Sequence, residues 1–116
     1  MKRNLSYNAD ESEKAIESYL CRLKKEAGGT PLKYTSATQT GYPDRVLLFP
    51  GGRVIWVEVK SAGCNPTALQ SHRIQQLREL GLVVRLCDSR EKAEAIVRLA
   101  QRSSWPPRGP YFPSDG

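Results

Sequence analysis

A chain of 116 residues, 39% apolar and 26% charged, has the size and balance of one soluble domain around one core. No run approaches the ~18–20 continuous apolar residues of a membrane span, and residues 1–14 lack the apolar centre of a secretory leader, so a cytosolic setting (bacterial, or phage-infected host) without membrane is expected. The 18 Lys and Arg against 12 Asp and Glu, a net charge of +6, favour a polyanionic partner, while three scattered cysteines (Cys21, Cys64, Cys87) argue against a disulfide framework or a cysteine zinc site.

In chain order, residues 10–27 read as an amphipathic helix. Ile16, Leu20, Leu23 and Ala27 recur at spacings of three and four, Asp10 is the expected N-cap, and Gly28-Gly29 is the stop. A short strand over 32–36 and a polar loop to Tyr42 follow. Two β-rich runs, 44–49 and 53–60, flank Pro50-Gly51-Gly52 and predict a hairpin. Residues 67–80 form a second helix with Leu69, Ile74, Leu77 and Leu80 on its periodic face. A buried-type strand over 82–87 and a capped helix over 89–101 complete the body. Cys21 and Cys87 sit among apolar residues and are expected to pack as small hydrophobes. The four prolines of 103–116 mark a tail, on the surface or disordered. The predicted order is α-β-β-β-α-β-α: a small mixed sheet flanked by helices, with a parallel crossover from 53 to 87.

The chemistry gathers at Gly41-Tyr-Pro-Asp44 and at Glu58-Val-Lys60. Alternation along 53–60 puts Val54, Trp56, Glu58 and Lys60 on one face. If Phe49 faces Arg53, paired positions sum to 102 and Asp44 comes to lie opposite Glu58. Two converging carboxylates repel unless a cation joins them, and oxygen ligation with room for water suits Mg²⁺ or Mn²⁺. Such an ion polarises a phosphoryl oxygen and activates water, and Lys60 can orient that water or offset developing charge. Singly, a Glu–Lys strand pair is an ordinary salt bridge and Pro-Asp an ordinary turn. Together they make a phosphodiesterase centre.

Pro-Asp followed by a hydrophobic strand ending Glu-x-Lys resembles the PD-(D/E)xK nuclease superfamily. More narrowly, Gly41-Tyr-Pro-Asp-Arg45, Trp56-Val-Glu-Val-Lys60, the Gln70-bearing helix and Gly81-Leu-Val-Val-Arg-Leu86 resemble the VRR-NUC family over residues 10–98. The resemblance implies a restriction-endonuclease-like α/β fold in a single domain (1–102), Mg²⁺ or Mn²⁺, and DNA as substrate. It further implies a phage-type homodimer acting on branched DNA such as four-way (Holliday) junctions. Leu86 and Cys87 depart from the Val-Arg ending behind the family's name, a change expected to touch packing or dimer contacts.

Two residues carry double readings. Glu13 shares the Ile16–Leu20 stripe and matches the family's metal-assisting Glu, yet it could instead be the third residue of an Asp10 capping box. Glu17 lies farther round the helix and is the weaker candidate. Gln70 matches the family's active-site Gln, yet it could serve a Thr67 capping box. The catalytic set is therefore Asp44, Glu58, Lys60 and Gln70, with metal ligands Asp44, Glu58, the Val59 carbonyl and Glu13. Lys33, Arg45 and Arg73 are candidate phosphate contacts, or else solvated charges. His72 should be exposed and Trp56 should belong to the core; Trp105 and Tyr111 in the tail could touch DNA or a second subunit, and the sequence does not decide between them. Rival readings are a non-catalytic DNA- or protein-binding module of the same fold, and cleavage of RNA or single strands.

Overall fold

The computed structural model describes residues 12–36 and 38–107. The elements are α1 (Glu13–Glu26), β1 (Thr30–Lys33), β2 (Arg45–Phe49), β3 (Arg53–Val59), α2 (Ala68–Glu79), β4 (Val83–Cys87) and α3 (Arg90–Ala100), in the predicted order. Together they form one four-stranded sheet, β1-β2-β3-β4, in which the β1/β2 and β2/β3 pairs are antiparallel and β3/β4 is parallel.

The β2–β3 hairpin pairs Phe49 with Arg53 and Arg45 with Val57, the register read from the sequence. Its turn requires Gly51 and Gly52, whose φ angles of +84° and +73° would strain a residue bearing a Cβ.

Alternation then divides the side chains between two layers. Leu47, Phe49, Ile55, Val57, Val59 and Cys87 face α1 and α3 and meet Ile16, Leu20, Ala93, Ile96 and Ala100 in the main core. Trp56 and Val84 point to the other face, where Ile74 and Leu77 of α2 cover them. Burying a side chain of this size stabilises the fold by about 1.5–3 kcal/mol. Cys87 is fully buried in the core, Cys64 is exposed, and all three thiols are free.

Side-chain clamps tie the layers. Tyr19 of α1 donates to Glu94 Oε2 of α3 at 2.6 Å, and the Arg22 and Arg90 guanidinium groups lie over its ring. Arg53 donates to the Ala100 carbonyl at 2.8 Å and to that of Arg102, which satisfies the end of α3, and it stacks on Trp105. The expected tail thus starts anchored against the body, since Trp105 packs on the main core. Tyr111 and the rest of that segment lie outside the described residues.

Three expectations are corrected. The first helix is capped by Ser12, whose Oγ accepts from the Ala15 amide at 3.2 Å, and not by Asp10, which lies outside the described residues. Glu13 is accordingly the first helical residue and not the third of an Asp10 box. The first strand runs over Thr30–Lys33, two residues earlier than predicted, because Pro31 is tolerated on an edge strand that needs no second ladder. Leu69 of α2 and Leu80, its C-cap, are 42% and 78% exposed, and Ile74 and Leu77 alone carry the buried face of the helix.

Candidate functional site

The end of the hairpin away from its turn builds the site. Continuing the β2–β3 register one step beyond Arg45↔Val57 brings Asp44 across from Glu58. Both share the α2 side of the sheet by alternation. Asp44 is fixed by its backbone, whose carbonyl accepts from the Tyr34 amide at 2.9 Å and prolongs the β1–β2 pairing past Lys33. Lys60 is held likewise: its amide donates to the Cys87 carbonyl at 2.9 Å, extending the parallel ladder with β4.

Glu58 is 6% exposed, an unusual setting for a carboxylate. Burial pushes its pKa up to about 7; Lys60 opposes the shift, and the charges of Asp44 and Glu13 add to it. Two acids, Glu13 of α1 and Asp44 at the entry to β2, therefore act electrostatically on Glu58 of β3. The Lys60 ammonium stands 3.9 Å from Glu58 Oε2, and Gln70 Nε2 donates to the same oxygen at 3.2 Å.

Gln70 makes the capping box that the sequence offered and also reaches Glu58. Its Oε1 accepts from the Thr67 amide at 2.9 Å while Thr67 Oγ1 accepts from the Gln70 amide at 3.1 Å, a complete capping box. The same cap fixes the side chain so that its amide nitrogen faces Glu58.

The cations divide. Lys33 is exposed on the edge strand, opposite Arg45 in the ladder. Arg45 forms an ion pair with Glu17 of α1, a long-range partnership that no local spacing announces. Arg73 is spent on the loop before Asp44. It donates to the Thr40 carbonyl at 3.1 Å and to Gln76 Oε1 at 3.1 Å, with its guanidinium 4.7 Å from the Tyr42 ring centre. His72 is exposed and Trp56 packs with Ile74, Leu77 and Val84, as expected.

That loop is pinned at Gly41. Its φ is +91°, and a Cβ there would lie 2.7 Å from Leu69 Cγ and 3.2 Å from Arg73 Cγ, so the backbone runs flush against α2. The otherwise exposed Leu69 is the surface on which the loop rests. Sequence reading missed this, as well as a hollow of about 260 Å³ between Tyr34, Gln39, Tyr42 and Asp44.

Among the described residues no three His, Cys, Asp or Glu side chains stand close enough to hold a metal ion by themselves. The donor chemistry nonetheless fits a hard cation. A buried carboxylate, disfavoured as an anion by desolvation and by two neighbouring acids, gains most from one. Backbone oxygen and water would complete such a shell. No described helix is long and apolar enough to cross a membrane.

No family model matches the chain. A protein of Acyrthosiphon pisum secondary endosymbiont phage 1, named "Putative nuclease p44", is 35% identical over 84 residues, covering 72% of this chain and 90% of the phage protein. A solved VRR_NUC domain matches with a TM-score of 0.70 at 22% identity, over 79% of this chain and 97% of its own. The second likeness carries the fold, the restriction-endonuclease-like fold of a VRR_NUC domain, and the first carries kinship: the chain belongs to one family with this phage protein named as a nuclease.

Proposed function

We propose that the protein is a divalent-metal-dependent endodeoxyribonuclease of the PD-(D/E)xK type, hydrolysing phosphodiester bonds in branched DNA, four-way junctions included, as a homodimer. The observation that carries the reading is Glu58, buried and electrostatically coupled to Asp44 and Glu13, with Lys60 and Gln70 directed at the same oxygen.

Asp44, Glu58 and the Val59 carbonyl would hold Mg²⁺ or Mn²⁺, assisted by Glu13 from the start of α1. The bound ion supplies Lewis acidity and a water of lowered pKa. The chain's own residues do the rest. Lys60 orients the attacking water and offsets negative charge as it develops on the phosphate. Gln70 holds the Glu58 carboxylate in one orientation through its own locked cap. Lys33, exposed at this end of the sheet, would draw the phosphate backbone toward it, and Arg45 and Arg73 would join it only by exchanging Glu17 and the Thr40 carbonyl for phosphate oxygens. A body this small offers little surface to a branched duplex, so a two-fold pair of subunits supplies a second centre and more phosphate contacts. Gel filtration at micromolar concentration should give a dimer, and a monomer there contradicts that element.

The test is incubation of labelled duplex, flap and four-way-junction DNA with the protein in Mg²⁺, Mn²⁺ or EDTA, beside Lys60→Ala and Asp44→Asn. Cutting by wild type with metal, absent in EDTA and lost in both variants, is expected. Equal cutting by all three proteins would overturn the assignment of the centre. Binding without cutting would favour a non-catalytic module.

A further inference from the structure

Next to Asp44 lies a hollow of about 260 Å³ whose walls include Tyr34, Ser36, Gln39, Thr40 and Tyr42. Apart from Asp44, none of the residues that line it takes part in the proposed chemistry. We infer that this hollow receives one unpaired nucleobase of the DNA strand that is cut, splayed out beside the phosphate that the metal centre at Asp44 and Glu58 would hold. The inference rests on the nuclease reading and sharpens it: the substrate would carry an unpaired nucleotide next to the scissile bond.

The lining chooses the ligand class. Among the described residues no Lys or Arg side chain lines the hollow, while Asp44 does, which disfavours a phosphate or another anion there. Two aromatic rings and several neutral polar groups remain, which is the chemistry of a heterocycle with a flat face and a hydrogen-bonding edge. Tyr34 is 40% exposed and is propped by Trp56, whose ring meets it at 79° with centroids 5.3 Å apart. An exposed ring held in place by a half-buried one is a preformed stacking surface. Tyr42 is immobilised by the Arg73 guanidinium over its ring and by its own hydroxyl, which donates to Gln39 Oε1 at 3.2 Å. The Gln39 amide group thus stands at the rim, in place to read a base edge. Gly41 clamps the loop to α2, so the cavity does not depend on the ligand to form.

The position also fits the geometry of cutting. Asp44 belongs at once to the hollow and to the carboxylate pair with Glu58. A base seated here would lie one nucleotide or so from the phosphate at the centre. Stacked duplex bases cannot enter unless unpaired, which costs a few kcal/mol and is cheapest at a branch, gap or frayed end. Selectivity for branched DNA would then follow from base capture.

The test uses the full chain and an oligonucleotide carrying one 2-aminopurine, placed either in a single-stranded gap or in intact duplex, in Ca²⁺, a larger hard cation that fills an oxygen-lined centre in place of Mg²⁺ without supporting the cut. Wild type should alter the fluorescence of the gap probe and bind it more tightly than the paired probe. Tyr34→Leu, which keeps an apolar side chain but removes the ring, should lose the fluorescence change and weaken gap binding about 5- to 100-fold. Unfolding midpoints accompany each variant. Should Tyr34→Leu fail to fold, Gln39→Leu carries the same comparison, with a smaller loss. Wild-type signal and affinity in both variants, or equal binding of gap and paired probes, would overturn the inference. Cutting of labelled DNA in Mn²⁺, measured in parallel, separates the two claims. A gap signal without any cutting sinks the nuclease reading and leaves the base site; cutting without a gap signal does the reverse.

Discussion

Gln70 Nε2 donates to Glu58 Oε2 at 3.2 Å while Gln70 Oε1 accepts from the Thr67 amide, so one side chain links the start of α2 to the buried carboxylate. The helix cap and the site share a part, and the two functions can be separated by choice of variant.

Thr67→Ala removes one half of the box and should cost about 1 kcal/mol of stability, read as a lower unfolding midpoint, with kcat little changed. Gln70→Ala removes both bonds. It should lower stability by a similar amount and DNA cleavage by about 10- to 100-fold, as for groups that orient a metal ligand. Equal cleavage losses in the two variants would mean that the Gln70–Glu58 bond has no separate role.

Glu58 gives a pH dependence with a definite sign. Its pKa in the folded, metal-free chain is pushed up to about 7 from an ordinary 4.5, so the folded state holds its proton where the unfolded state has released it. The stabilisation is complete below about pH 4.5 and is lost as pH rises through 7. In EDTA the unfolding free energy should fall between pH 5 and 8 by up to about 3 kcal/mol from this group. Glu58→Gln, neutral throughout, should flatten that slope and be more stable than wild type at pH 8. A slope unchanged by the substitution would place the titration elsewhere.

Arg45 is committed to Glu17, yet it lies beside the centre proposed to bind phosphate. Glu17→Gln should free the guanidinium and strengthen DNA binding at low salt. Arg45→Ala should weaken binding across sequences and lower the slope of log K against log salt by about one. Fluorescence anisotropy across a salt series measures both. An unaltered slope in Arg45→Ala would remove this residue from the DNA contact surface.

Gly41→Ala combines a positive φ with a close steric contact. The new Cβ would meet Leu69 Cγ at 2.7 Å, so the loop must lift from α2. A loss of about 1–3 kcal/mol is expected by chemical denaturation. Cleavage should fall as well, because the same loop leads into Asp44. Leu69→Ala in the same chain should recover part of the stability.

The sheet was legible because its signals are local and agree. Alternation over 53–60, the Pro50-Gly51-Gly52 turn and the periodicity of three helices together determine element order and hairpin register. The strand over 30–33 was misplaced because Pro31 reads as a breaker unless the strand is known to lie at an edge. The start of α1 was misjudged because Asp10 and Ser12 are both competent caps, and sequence alone does not rank them. At the centre, the facing of Asp44 and Glu58 followed from register arithmetic. The Arg45–Glu17 pair, the Arg73 clamp and the hollow between Tyr34 and Tyr42 all depend on contacts between distant segments, which no spacing encodes. Gln70 shows another limit: a cap and a contact with Glu58 look exclusive along the sequence, whereas an amide has two ends and makes both.

Metal binding by the pair itself tests the central claim most directly. Titration of the metal-free protein with Mn²⁺ at pH 8, followed by calorimetry or by the spin resonance of free Mn²⁺, should reveal one saturable site per chain. Asp44→Asn and Glu58→Gln should each weaken it at least tenfold while leaving the fold intact. Mn²⁺ binding that is absent in wild type, or undiminished in both variants, would contradict a shared divalent ion between these two carboxylates.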